Sequence, residues 1–158
     1  MTRTAHRALP TKEELRIWRD YVETADALRS LLGGRMQSES GLSSGDYSVM
    51  LALSEARGRH LRSSELAEHM GWERSRLSHH LGRMEKRGLI RRDAFADDSR
   101  GAVVSLTDAG ASAFRAGSVP HLRAVREVFI DAFDTDDLAR IDVLTARLRE
   151  HLGLESRG

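Results

Sequence analysis

Apolar residues recur at three- and four-residue intervals through most of this chain, the spacing of amphipathic helices. Leu15, Trp18, Val22, Ala25 and Leu28 or Leu32 form one such stripe, predicting a long first helix to about residue 36. Thr11 is its candidate N-cap, with Glu13 and Glu14 in the first turn; Gly33-Gly34 weakens its end, and the polar run 37–42 reads as a loop. Ser43 with Asp46 resembles a capping box and opens a second helix over about 44–57, whose faces Tyr47, Met50, Leu51 and Ser54 cover. A short stretch at 58–61 is a candidate strand.

Residues 63–106 carry a denser pattern. Ser63 and Ser64 are candidate N-caps, Glu65 suits the positive end of a helix dipole, and Leu66 and Met70 share a face. Gly71 sits where a helix end needs a left-handed residue. A further helix follows over about 74–87, with Leu77, Leu81 and Met84 as its buried face. Arg76, His79, His80 and Arg83 fall on its other faces, with Ser75 and Ser78 among them. Gly88 ends it. Residues 90–95 and 102–106 read as two strands joined by a polar turn, and 58–61 can pair beside them.

Thr107 then caps another helix with Asp108 in its first turn, and Leu122, Val125, Phe129 and Ala132 continue its apolar face. Pro120 removes a backbone donor and predicts a kink or break near Ser118-Val119. Thr135, Asp136 and Asp137 begin a last helix, in which Leu138, Ile141, Leu144 or Thr145, Leu148 and Leu152 form a near-heptad stripe. The fold class expected is mainly α with a small β-hairpin wing (α+β).

Helix, tight turn, helix and hairpin in this order form a winged helix-turn-helix, which places its second helix in the DNA major groove. The run ELAEHMGWERSRLSHHLGRMEKRGLIRR, followed by DDSRGAVVSLTDAG, resembles the MarR family of bacterial transcription regulators. The family pattern is a helix-turn-helix, a wing carrying Asp-x-Arg, here Asp98-Ser99-Arg100, and Leu-Thr-x-x-Gly, here Leu106 to Gly110. The resemblance spans about residues 13–152. It departs from the pattern at Glu73, where many members carry a small N-cap residue.

The resemblance implies one protomer over 1–158, with a DNA-binding lobe at 43–106 and dimerisation helices at 11–36 and 107–152 packing across a two-fold axis. The expected partners are double-stranded DNA, a second copy of the chain and a small aromatic or phenolic effector. The expected function is that of a regulator, taken as a repressor, acting as a homodimer on a pseudo-palindromic operator. The chain has no Asn and a single Gln, Gln37, outside this lobe, so amide reading of adenine is not open to it. Arg76 or Arg74 is expected to read guanine, with Ser63, Ser75, Ser78, His79, His80 and Arg83 placing the helix. Arg100, held by Asp98, is expected to enter the minor groove. Trp18, Tyr47 and Met50 are the candidate residues lining an effector pocket.

Charge agrees with this division. The formal net charge is only +1, yet residues 57–100 hold eleven Arg/Lys and seven Asp/Glu, a net of +4 that leaves −3 for the rest. The absence of cysteine excludes disulfides, thiolate metal sites and thiol-based peroxide sensing. The N-terminal stretch lacks the apolar run of a secretory signal and no span suits a membrane, so a cytoplasmic protein is expected.

Two other chemistries find little support in the sequence. Gly41-Leu42-Ser43-Ser44-Gly45 matches G-x-S-x-G formally, but that nucleophile elbow needs a buried strand before it, and residues 35–40 do not resemble one. The histidines show no i, i+4 pair, and adjacent His79 and His80 point about 100° apart on a helix, so no metal and no cofactor are expected. A winged-helix module that binds protein instead of DNA is the alternative; Arg74, Arg76 and Arg100 argue against it.

Overall fold

The structure, a computed structural model, describes residues 9–94 and 101–154. It is mostly helical with one small antiparallel sheet, in the order α1 (Lys12–Ser40), α2 (Ser44–Glu55), β1 (His60–Arg62), α3 (Ser63–Met70), α4 (Arg74–Lys86), β2 (Ile90–Asp93), β3 (Val103–Leu106), α5 (Asp108–Val128) and α6 (Thr135–His151). Short 3₁₀ turns at Arg57–Arg59 and Ile130–Ala132 complete the chain. The expected fold class is the observed one.

Local chemistry starts most helices where the sequence points. Thr11 caps α1 in a capping box with Glu14, and Ser43 does the same for α2 with Asp46. Ser43 is therefore a cap preceded by a helix, not a nucleophile on an elbow. Thr107 Oγ1 accepts from the Gly110 N–H at 2.9 Å and donates to the Gly88 carbonyl at 2.5 Å, tying the start of α5 to the end of α4. The helix α3 differs from expectation. It starts at Ser63 itself, Glu65 accepts the Arg62 N–H at 3.0 Å, and the Ser63 N–H donates to the Ala102 carbonyl across the sheet base.

Two expected interruptions do not occur. The helix α1 runs through Gly33-Gly34 and the polar run to Ser40, ending at Gly41 with φ 69°. Polar side chains support that last turn from within: Ser38 and Ser40 donate to the carbonyls of Arg35 and Met36, and Met36 is buried. The helix α5 continues past Pro120. Packing on both sides of the proline offsets its missing donor, since Gly117 lies against Leu42 and Ser40, and Tyr47 against Phe114 and His121.

The sheet has strand order β1-β3-β2 with all neighbours antiparallel, Leu61 opposite Val104 and Ile90 opposite Leu106. The expected third strand is thus present, beside β3. Val104 and Ile90 face a core formed with Val49, Met50 and Leu53 of α2, Leu66 of α3, and Leu77, Leu81 and Met84 of α4. The start of α5 packs so closely on this lobe that a Cβ at Gly110 would overlap the Leu89 carbonyl oxygen. Gly110→Ala is therefore expected to cost about 2–3 kcal/mol by forcing backbone apart, read as a lower urea midpoint at unchanged slope; an unchanged midpoint would mean that α5 sits looser than this.

The outer helices are different. The N-terminal part of α1 leaves Leu15, Ile17, Trp18 and Tyr21 exposed, and α6 buries no residue at all. Val143, Leu144 and Leu148 of α6, Leu152 at its C-cap, and Val119 and Leu122 of α5 are exposed as well. Among the described residues no helix is long and apolar enough to cross a membrane.

Candidate nucleic-acid interface

The turn between α3 and α4 is set by three residues. Gly71 takes φ 63°, as a left-handed helix end requires, and its N–H bonds back into α3. Trp72 donates its N–H to the Ala67 carbonyl at 3.0 Å. Glu73 is the N-cap of α4 but makes no side-chain capping bond, so the departure noted in the sequence leaves the first N–H groups of α4 without that partner. The inner face of α4 is Leu77, His80, Leu81 and Met84, all buried. Its outer face presents Arg74, Ser75, Arg76, Ser78, His79 and Arg83, all exposed.

The buried position of His80 corrects its place among the outward residues. Its spacing from Leu77, Leu81 and Met84 is the i, i+3, i+4, i+7 spacing of the apolar face, so geometry carries it inward despite its polarity. There Nε2 lies 3.0 Å from Oδ1 of buried Asp46, close but poorly aligned for a hydrogen bond. Arg87 donates to Asp46 Oδ2 at 2.6 Å, and the Ser43 N–H to the same oxygen at 3.0 Å. Burial pushes the Asp46 carboxyl up, but Arg87, the Ser43 N–H and His80 together hold it below its ordinary value. Burial first, and then the nearby Arg83 and Arg76 charges against the pull of Asp46, keep His80 below its ordinary value.

Two clefts border the outer face of α4. One, of about 320 Å³, lies between the start of α3, α4 and the sheet, and is lined by Ser63, Ser64, Arg74, Ser78, Arg92 and Gly101 among others. A second, of about 270 Å³, is lined by Ser78, His79, Gly82, Arg83, Lys86 and Arg92. Arg92 stands between them, held by Glu85 at 2.5 Å. Arg92 is not among the site residues expected from the sequence. The alternation of β2 holds the signal, because Arg92 shares a strand face with buried Ile90 and so faces the α4 side. Asp98 and Arg100 lie outside the described residues.

The three candidate pocket residues do not come together. Met50 is core at 0% exposure, Tyr47 stacks between Phe114 (5.1 Å) and His121 (4.6 Å), and Trp18 is 60% exposed on α1. Helical spacing alone does not tell a core face from a cavity wall. Beside Tyr47, His121 Nδ1 is buried with no hydrogen-bond partner in the structure, and burial lowers its basicity. Among the described residues no three His, Asp or Glu side chains group as metal ligands would.

Comparison with known proteins agrees with this arrangement. A model of the MarR family matches residues 40–101. AbsC, a MarR family transcriptional regulator from Streptomyces coelicolor, is 34% identical over 92% of this chain and 98% of that chain, with a TM-score of 0.82. Sco3205, a MarR family transcriptional regulator from the same organism solved in complex with DNA, is 33% identical over 91% of this chain and 94% of that chain, with a TM-score of 0.83. The fold is shared, at 17% identity over 94% of this chain and 89% of that chain and a TM-score of 0.76, by the organohalide-sensing regulator RdhR-CbdbA1625 in its 2,4-dichlorophenol-bound form. No curated protein matches the chain.

Proposed function

Since this chain belongs to the MarR family of transcriptional regulators, we propose that it represses transcription as a homodimer on a pseudo-palindromic operator, reading each half-site with α4. The outer face of α4 carries this reading: its polar and basic residues are exposed while its apolar positions anchor it in the lobe. Arg76 or Arg74 reads guanine, and Ser75, Ser78, His79 and Arg83 hold phosphates or base edges. Ser63 and Arg92 flank that face and contact the backbone. His80 is left out of the contact set, because it faces Asp46. A dimer bound over a promoter excludes polymerase. Gel shift with DNA from upstream of the protein's own gene, together with a reporter on that DNA, tests the reading. A shift and a reporter that rises when the gene is deleted support it; no shift at physiological salt sinks it.

The wing arginine belongs to the same proposal. Arg100→Ala is expected to leave melting and dimerisation unchanged, to weaken operator binding strongly, and to make the salt dependence shallower by up to about one phosphate-equivalent per protomer. It should also blunt any preference for A·T-rich flanks. Unchanged operator affinity at matched salt would remove Arg100 from the interface.

A small aromatic effector completes the reading, and the cluster of Tyr47, Phe114 and His121 between α2 and α5 supports it, with an unpartnered buried nitrogen beside two aromatic faces. The effector must bind better to a spacing of recognition helices that does not fit DNA. Phenolic acids are expected to raise the operator Kd of the wild type and not of His121→Phe. Equal response of the two proteins would exclude this cluster.

A further inference from the structure

We propose that buried Asp46 and His80, with half-buried Trp72, form a positioning unit that presets Arg83 and Arg76 on α4 before DNA arrives. The inference rests on the DNA-binding reading of α4 given above. It begins with the two ring nitrogens of His80. Nδ1 lies 3.1 Å from an Nη2 of Arg83. A guanidinium can only donate, so Nδ1 carries the lone pair. Nε2 lies 3.0 Å from Asp46 Oδ1. A bare nitrogen there would set its lone pair against the carboxylate, so the proton sits on Nε2. The imidazole is neutral, facing Asp46 on one side and holding Arg83 on the other.

Each member of the unit is fixed in turn. Asp46 cannot swing away, because its other oxygen takes the Ser43 N–H and Arg87. Trp72 stands edge-on to His80, with ring centres 5.2 Å apart at 81°, and its face lies 4.3 Å beneath the guanidinium carbon of Arg76. Gly45 of α2 closes the arrangement, since a Cβ there would come within 2.8 Å of His80 Cε1 and 3.0 Å of the Trp72 ring. The body of the protein, through α2, thus reaches two outward arginines by one chain of contacts. An arginine already held loses less rotamer freedom on binding than a free one. His80 and Trp72 are positioning residues, acting on DNA only through Arg83 and Arg76.

The test uses side chains that separate the two nitrogens. His80→Gln keeps a donor towards Asp46 and loses the acceptor for Arg83. His80→Asn keeps an acceptor at the Nδ1 position and loses reach to Asp46. In the free dimer, side-chain ¹⁵N relaxation is expected to show an ordered Arg83 guanidinium in the wild type, a less ordered one in His80→Asn, which keeps the acceptor but loses its anchor on Asp46, and the most mobile one in His80→Gln. On operator DNA, His80→Gln is expected to weaken binding roughly five- to tenfold through lost pre-organisation, and to add nothing in an Arg83→Ala background. Trp72→Leu should behave likewise towards Arg76→Ala. Losses that simply add, or Arg83 relaxation that His80→Gln leaves unchanged, overturn the proposal. If the wild type binds no DNA, the functional reading fails while the relaxation of Arg83 in the free dimer still decides whether it is preset.

Discussion

Asp46→Ala is expected to cost about 3–4 kcal/mol of folding stability, through a lost cap and lost hydrogen bonds to charged groups around a buried site. The carboxylate is almost wholly buried and serves three partners: the Ser43 N–H of the α2 cap, the Arg87 guanidinium and the His80 ring. Arg87 is 44% exposed and can turn to water, which holds the cost below that of a fully buried broken pair; His80, at 11%, cannot. The pH dependence follows from the directions of the shifts. His80 and His121 both bind protons less readily folded than unfolded, so stability declines as the pH falls below their ordinary value of 6.5. Asp46 is held lower in the folded chain, so its contribution is present above its ordinary value of 3.8 and is lost as the pH falls through its folded value. Wild-type protein should therefore lose stability in two stages on acidification, and Asp46→Ala should show a smaller second stage, to which Glu13 and Glu14, also held low by Arg16 and Thr11, still contribute. Urea denaturation from pH 8 to pH 3 reads both. A variant as stable as the wild type at pH 7.5 would show that Asp46 is not anchoring α4.

Replacing Leu144 and Leu148 together by glutamate is expected to split the proposed homodimer. Both lie exposed on α6, which buries none of its residues within the protomer. Exposed apolar area of this extent is unusual for a monomer, and burying it against a second copy is favourable at about 25 cal/mol per Å². The two glutamates would place four carboxylates in that interface. Joining two recognition helices makes the second half-site contact intramolecular, so its loss should weaken operator binding by about 10²-fold or more. Sedimentation velocity should show dimer for the wild type and monomer for the variant at micromolar concentration, with helix content unchanged. A variant that remains dimeric would move the interface away from α6.

The parts of this fold legible in sequence are those fixed by local chemistry. Thr11, Ser43 and Thr107 cap helices because a short hydroxyl beside an acidic or glycine-bearing first turn has few other uses. Leu77, Leu81 and Met84 are buried because nothing else on α4 is apolar. What the pattern missed depends on distant partners. Pro120 is tolerated because α5 packs along two other helices, a fact no local window contains. His80 follows the buried spacing, but its burial makes sense only with Asp46, which lies 34 positions away and reads locally as a cap residue. Trp72 reads as a turn residue, and its use as a platform for Arg76 depends on how the turn folds back. The candidate pocket residues depend on distant partners too: Trp18, Tyr47 and Met50 suit a ligand in type, and within the protomer Met50 is buried while Trp18 is exposed.

The assignment of α4 as the DNA-reading helix is tested most directly by titrating the wild-type protein against its own upstream DNA and against random duplex at matched physiological salt. Repeating this with Arg74→Ala and Arg76→Ala completes the measurement. The expected result is one dimer per site, with the upstream DNA preferred by about 10³-fold or more, and at least one of the two substitutions costing more on that DNA than on random duplex. Equal affinity for the two DNAs, or losses that are the same on both, would contradict base reading by α4.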